Sequence, residues 1–306
     1  MQVHFLGTSG SIPTRNRNLV SVAIKRKGKI FLFDPGEGTQ QQMIRNKLSV
    51  VKTHSIYVSH LHGDHIMGIP GIIMSAAMLN REKELLIFGP PGTLKFIQSF
   101  LNSVIVNPSF KILVKEVAGE EVIFKHEEFQ ISSGLAEHTC FCLYYIFEEK
   151  PRPGKFNKAK AEQLKIPIGP LWKKLQLGED IVINDGRKIK SNQIIGPPRL
   201  GRKIIIALDT RPTDDIRNSA QDADLLIFDG TFDSSLKEKA VETKHSTVRE
   251  AAQLANEANV KRLALTHYSS RYKDLSILKK DIENIRPNAI FPDDLTKIKI
   301  PYSNGD

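Results

Sequence analysis

The chain has 306 residues, 40% hydrophobic and 25% charged, the proportions of an ordinary globular protein; a disordered tail and a small cross-linked module are excluded. Its longest apolar stretch, around Ile66 to Leu79, is broken by Gly68, Pro70 and Gly71 and falls short of the roughly 18 continuous apolar residues of a membrane helix. The start, MQVHFLGTSGS, lacks a basic region followed by a long apolar run, so a cytoplasmic protein with no membrane partner is expected. Cys140 and Cys142 stand two apart, a spacing that on a strand turns both thiols to one face without room for a bridge.

The elements follow in chain order. Strands VHFLG, LVSVAIK and KIFLF precede a helix from about Thr39 to Lys47; SIYVS, a helix through the Ile66 to Leu79 region, LLIF and a helix after Pro91 continue the alternation. Strands resume at FKILVKEV, EVIFK, EFQISS and CFCLYYIFEE, short and separated by Gly or charged turns, which predicts an antiparallel component beside the α/β units. Residues 150–203 break the rhythm: six of the sixteen prolines and the only tryptophan, Trp172, lie there. The βα pattern returns with KIIIALD, a helix near Asp214 to Ala220, ADLLIFD, a helix from Thr247 to Ala258, and RLALTH. The pattern predicts one domain over 1–306, α/β with mixed sheets, and an inserted flexible arm at 150–203.

Charge sets that arm apart. The chain's net charge is +10, and between Lys150 and Lys203 fourteen Lys and Arg face four acids, so the arm carries the whole excess. Such a segment would gain affinity for a polyanion by releasing its counterions.

The densest chemical signal is SHLHGDH, which puts His60, His62, Asp64 and His65 within six residues after a strand. A loop leaving a strand can turn alternating side chains toward one point, and imidazole with carboxylate is a metal-ligand set. One loop cannot close two coordination spheres. His138, Asp209 and His267 each stand at a strand end, where α/β sheets gather functional residues.

This set resembles the metallo-β-lactamase fold superfamily and, within it, the tRNase Z family of tRNA 3′-processing endonucleases. The resemblance runs through FLGTSGSIPTRNRN, LFDPGEGTQQQM, YVSHLHGDHIMGIPG, GPLWKKLQLGE, ALDTRP, KHSTVREAA and THYSSRY. It implies an αββα sandwich of two mixed sheets flanked by helices. It further implies two Zn2+ per chain, one held by His60, His62 and His138, the other by Asp64, His65 and His267, with Asp209 bridging. The implied substrate is precursor tRNA, and the implied assembly is a homodimer in which the arm of one subunit clamps tRNA for the other's site. Gly169, Pro170, Trp172, Lys173 and Lys174 would belong to that clamp, and Asn16, Arg17 and Asn18 would contact the RNA backbone near the acceptor end.

Two zinc ions can clamp an in-line displacement at phosphorus, and a departing 3′-oxygen calls for a general acid. His245 is the candidate, oriented by Asp229, with Asp64 a ligand and open to a second role as proton acceptor. Asp34 is read as a hydrogen-bond partner of a ligand histidine. The family usually carries Glu in an E-A-T-F element where this chain has Asp229 in FDGTF, one methylene shorter. A glyoxalase-like thioester hydrolase, which needs no basic arm, and a non-catalytic RNA-binding protein are the competing readings.

Overall fold

Near-continuous burial along the first strands commits them to a sheet covered on both faces. The computed structural model describes residues 1–302. In it β1 (Gln2–Gly7), β2 (Ser21–Arg26) and β3 (Lys29–Phe33) pair antiparallel. Helix α1 (Thr39–Arg45) leads to β4 (Thr53–Tyr57); α2 (Gly63–Ile66) and α3 (Gly68–Met78) lead to β5 (Leu85–Gly89), and α4 (Thr93–Ser103) to β6 (Ile112–Glu116). From β3 to β6 the strands run parallel. Met43, Ile69, Ile73 and Ile97 of the crossover helices close one core over Leu32, Ile56 and Ile87 of the strands. The expected single helix through Ile66 to Leu79 is divided: α2 ends at Ile66 and α3 begins at Gly68. Pro70 falls in the first turn of α3, where its missing N–H has no intrahelical partner to lose.

The second sheet begins with β7 (Glu121–Lys125), β8 (Phe129–Ala136) and β9 (Cys142–Glu149). Between β9 and its return lie α5 (Lys158–Gln163), α6 (Pro170–Gln176), β10 (Ile181–Val182) and β11 (Lys188–Ile189). The chain re-enters with β12 (Lys203–Ala207), α7 (Asp214–Ser219), β13 (Leu225–Asp229), α8 (Lys237–Glu242), α9 (Val248–Glu257), β14 (Leu263–Thr266) and α10 (Ser276–Asp281). The six strands are ordered β14-β13-β12-β9-β8-β7, with β12 to β14 parallel and β7 antiparallel to β8. A final strand, β15 (Lys297–Lys299), pairs antiparallel with β1 at the edge of the seven-stranded first sheet.

The inner faces of the two sheets meet through aromatics: the Phe33 and Tyr145 rings lie 5.9 Å apart, Tyr57 and Tyr145 5.4 Å, and Phe31 and Phe147 5.4 Å. Helices cover the outer faces, and α9 buries Val248, Ala251, Ala252 and Ala255 on the second sheet. Two mixed sheets with helices outside make the αββα sandwich that the resemblance implies.

The chain divides into two compact units. One holds Met1–His126, Gln130–Phe147 and Lys203–Ile300; the other comprises Glu127–Phe129 and Glu148–Arg202, with Pro301 and Tyr302. The second has its own apolar core of Ala161, Ile166, Leu175, Ile181, Ile183, Ile189 and Ile194. At its base Arg202 forms a buried ion pair with Glu149 (2.7 Å), and Arg152 and Arg202 both stack on the Tyr302 ring.

Among the described residues no helix is long and apolar enough to cross a membrane. Both cysteines are free. They do not share a strand face, because Cys140 precedes β9 and is exposed while Cys142 opens it and is buried.

Candidate metal centre

The carboxyl ends of the strands converge. His60, His62, Asp64 and His65 follow β4, Asp209 follows β12, and His267 follows β14, while His138 lies in the β8–β9 connection. Asp209 stands between two sets of ligand atoms. Its Oδ2 is 3.8 Å from His60 Nε2 and 3.8 Å from His138 Nε2. Its Oδ1 is 3.4 Å from His65 Nε2 and 3.3 Å from His267 Nε2. His62 turns Nδ1 into the first set, 2.9 Å from His60 Nε2 and 3.4 Å from His138 Nε2. Asp64 Oδ2 completes the second, 3.5 Å from both His65 Nε2 and His267 Nε2.

The outward nitrogens fix which atoms face inward. His60 Nδ1–H donates to Ser59 Oγ (2.9 Å), whose own hydrogen goes to Asp34 Oδ2 (2.5 Å). His65 Nδ1–H donates to Asp34 Oδ2 (2.8 Å), His138 Nδ1–H to the Lys244 carbonyl (3.3 Å), and His267 Nδ1–H to Thr231 Oγ1 (3.0 Å). These bonds assign the tautomers and leave a lone pair on the inner nitrogen of each ring, the arrangement a metal-binding histidine requires. Asp34 thus serves two of the rings.

His65 Nε2, Asp209 Oδ1 and His267 Nε2 are buried and meet no hydrogen-bond partner among the described residues. Three orphaned acceptors pointing at one spot are costly unless a cation satisfies them, so the nitrogen and oxygen set fits a bound metal. Electrostatics agree. Burial pushes His60 far below its ordinary value, with His65 adding to it. Burial acts the same way on His65, but the carboxylates of Asp209 and Asp34 prevail and hold it well above. Burial would raise Asp209, yet His267 and His65 hold it well below the carboxylate range.

Backbone strain gathers here. Asp34 (φ 44°), Lys244 (φ 57°) and His267 (φ 63°) all have left-handed backbones without being glycine, a cost accepted where geometry is dictated by a site. Gly10 lies flat against the His267 ring, where an added Cβ would come within 2.4 Å of Cε1. The neighbouring Ser11 N–H donates to Asp64 Oδ2 (2.7 Å).

Beyond the ligand sets, His245 stands beside the centre with its ring 5.1 Å from those of both His138 and His267. Its Nδ1–H donates to Asp229 Oδ2 (2.8 Å). The shorter carboxylate reaches because it is wholly buried and pinned by the Thr231 and Thr210 N–H groups. Burial would depress His245, but Asp229 prevails and lifts it to about 9.

Full-length comparisons bear on this geometry. The chain is 43% identical to Ribonuclease Z of Methanosarcina acetivorans over 303 residues, which is 99% of each chain. It is 41% identical to Ribonuclease Z of Nitrosopumilus maritimus over 98% of this chain and all of that one. The chain belongs to the ribonuclease Z family. Human tRNase Z, short form, superposes with a TM-score of 0.74 at 25% identity, covering 98% of this chain and 100% of that one. The metallo-β-lactamase fold protein YhfI from Bacillus subtilis gives a TM-score of 0.67 at 16% identity, covering 97% of this chain and 98% of the other. A family profile described as "Anti-Pycsar protein Apyc1" matches residues 1–136.

The other residues singled out in the sequence take varied places. Arg17 is buried, its Nη2 on the Tyr272 carbonyl and its guanidinium over the Tyr268 ring. Asn18 donates to the Glu37 carbonyl (2.8 Å), and Asn16 is exposed. In the second unit Trp172 is half-buried, its Nε1–H on the Ile166 carbonyl (3.1 Å) and its ring 4.9 Å from Phe156. Gly169, Pro170, Lys173 and Lys174 are exposed. Sequence reasoning missed Arg211 and Thr231. Arg211 Nη1 donates to the His245 carbonyl (2.6 Å) and its guanidinium pairs with Glu250, whose Oε2 also accepts the Thr247 N–H in the capping box of α9. The signal lay in the motifs themselves: ALDTRP holds KHSTVREAA in place through Arg211 and Glu250.

Proposed function

We infer that this chain is a metal-dependent endoribonuclease that removes the 3′ trailer from tRNA precursors, leaving a 3′-hydroxyl on the tRNA and a 5′-phosphate on the trailer. The observation that carries the reading is Asp209, whose two oxygens face two separate imidazole sets. The reading takes two Zn2+ per chain, one with His60, His62 and His138, the other with Asp64, His65 and His267, and Asp209 shared. When bound, such ions polarise the phosphodiester and sharpen water as a nucleophile.

The residues supply the rest. His245, whose pairing with Asp229 favours the protonated ring, would give that proton from Nε2 to the departing 3′-oxygen. Asp229 keeps that ring turned and recharged. Although burial favours its neutral form, the carboxyl of Asp64 is held low by His267 and His65, which makes it a poor base and favours a purely ligand role. The arm carries the chain's whole excess of positive charge, and its exposed Lys173 and Lys174 support a phosphate-binding role in holding the tRNA. A homodimer is supported by exposed apolar side chains on the first sheet's helices: Met67 beside α3, Met74 and Met78 on it, and Ile44 on α1. The competing thioester hydrolase leaves the arm without a role.

The test is incubation of a 3′-extended tRNA precursor with the metal-loaded protein, with chelator-treated protein, and with Asp209→Ala. Cleavage confined to the loaded wild type supports the reading; equal cleavage by all three would overturn it.

A further inference from the structure

A separate concavity, with charged side chains over a partly apolar lining, lies at the other end of the first sheet. In this sheet the metal ligands follow the carboxyl end of β4, whereas the β2–β3 turn, the start of β4 and the loop after α3 line a cavity of about 850 Å3. Its central group is Arg81, only 2% exposed. Nε donates to the Lys83 carbonyl (2.6 Å), Nη1 to that of Val51 (2.8 Å) and Nη2 to that of Glu84 (2.6 Å). A guanidinium has five N–H groups, so two remain, and the three acceptors are all neutral. Among the described residues no carboxylate pairs with Arg81. A buried cation without a counter-charge is costly, and burial already lowers Arg81 from its ordinary value.

The walls deepen the imbalance. Lys27, Lys29, Lys52 and Lys83 join Arg81 against Glu82 and Glu84. Lys29, Lys52 and Lys83 form no ion pair among the described residues. Thr53 stands in the cavity wall with its side chain fully buried, and its Oγ1 meets no partner among the described residues. The His54 ring, tilted against Phe31 at 5.3 Å, is held neutral, its value pushed down to about 4 by burial and then by Lys29 and Arg81. A positive potential is felt inside the cavity as well as at its rim.

We propose that this cavity is a second ligand site, separate from the metal centre, that binds a mononucleotide. Its phosphates take the two remaining Arg81 N–H groups and the Lys29 and Lys52 ammonium groups. The volume exceeds what a bare phosphate needs and lies within the usual span of small-ligand sites, roughly 300 to 1,000 Å3. The apolar wall of Val51 and Leu86 beside the neutral His54 gives the base a face to lie on.

The test is calorimetric titration of the metal-loaded full chain with AMP, ATP and inorganic phosphate. It is run on wild type, the Lys29→Ala/Lys52→Ala double variant and Thr53→Val, each checked for native circular dichroism. One nucleotide per chain should bind, about tenfold or more weakly in the double variant, since each lost charged hydrogen bond is worth about that factor, and binding should persist after the metals are stripped. Equal affinity in wild type and double variant would overturn the proposal. So would binding that vanishes with the metals, which locates the nucleotide at the catalytic ions, or phosphate binding as tightly as AMP and ATP, which removes the nucleotide from the assignment. Failure of any ligand to bind at millimolar concentration would also overturn it.

Discussion

Replacing Asp229 by Asn keeps the shape of the side chain and removes its charge. In the metal-free protein His245 is lifted from 6.5 to about 9, a preference for the protonated ring of about 3 kcal/mol at 1.36 kcal/mol per unit. Because burial acts in the other direction, the carboxylates, Asp229 first and Asp209 after it, together supply more than the whole of that lift. A raised histidine value means that the pair stabilises the fold fully below pH 6.5 and that this contribution fades as the pH climbs through about 9. In Asp229→Asn, burial is opposed mainly by Asp209, and His245 should titrate at or below 6.5. At pH 7.5 its protonated fraction then falls from nearly all to about a tenth, and cleavage should slow by roughly ten- to a hundredfold, within the reach of general acid catalysis. The His245 ring can be followed by NMR titration of chelator-treated protein, and the chemical step by single-turnover cleavage of precursor tRNA by the metal-loaded protein. An unmoved His245 titration would show that Asp229 does not set its charge, and an unchanged cleavage rate would remove His245 as the acid.

Other outcomes follow from the same geometry. Asp209→Ala should bring metal content below two ions per chain and abolish cleavage while leaving tRNA affinity largely intact; unchanged metal content would refute the shared-carboxylate arrangement. Removing most of 150–203 should cripple precursor binding and flatten its dependence on salt while sparing hydrolysis of a nitrophenyl phosphodiester, and equal salt slopes would mean that the arm does not bind the RNA. Gly10→Ala forces a Cβ to within 2.4 Å of His267 Cε1, so it should weaken the ion at Asp64, His65 and His267, with a stability loss of about 1 to 3 kcal/mol. Metal competition with a chelator reads this directly, and wild-type affinity would show that the ring can give way.

The parts of this site that could be read in the sequence were those written locally. HLHGDH compresses four side chains into one loop, and His138, Asp209 and His267 sit at ends of recognisable strands, so their convergence followed from sheet geometry. Asp34 was legible as a partner because it too ends a strand. Arg211 was not, because its work is to join two loops distant in sequence, from ALDTRP to the cap of α9. For Arg17 and Trp172 the sequence shows a cation in a polar loop and an aromatic in a basic segment, but not their bonds to the Tyr272 and Ile166 carbonyls. Short elements such as α8, α10 and β15 carry too few residues for periodicity to register, and they are held by tertiary contacts such as the pairing of β15 with β1. The small core of the second unit was hidden by its prolines and charge, although Ile166, Leu175, Ile181 and Ile189 supply it.

The most direct measurement is the mapping of both product ends after a single turnover on a 3′-extended tRNA precursor, for wild type and His245→Ala, beside hydrolysis of a nitrophenyl phosphodiester. Wild type should cut once at the trailer junction, leaving a 3′-hydroxyl and a 5′-phosphate. His245→Ala should lose roughly 10² to 10⁴ in rate on the tRNA, and far less on the substrate whose leaving group needs no proton, with both metals retained. A 3′-phosphate product, or an equal loss on both substrates, would contradict a metal-centred cleavage in which His245 protonates the departing oxygen.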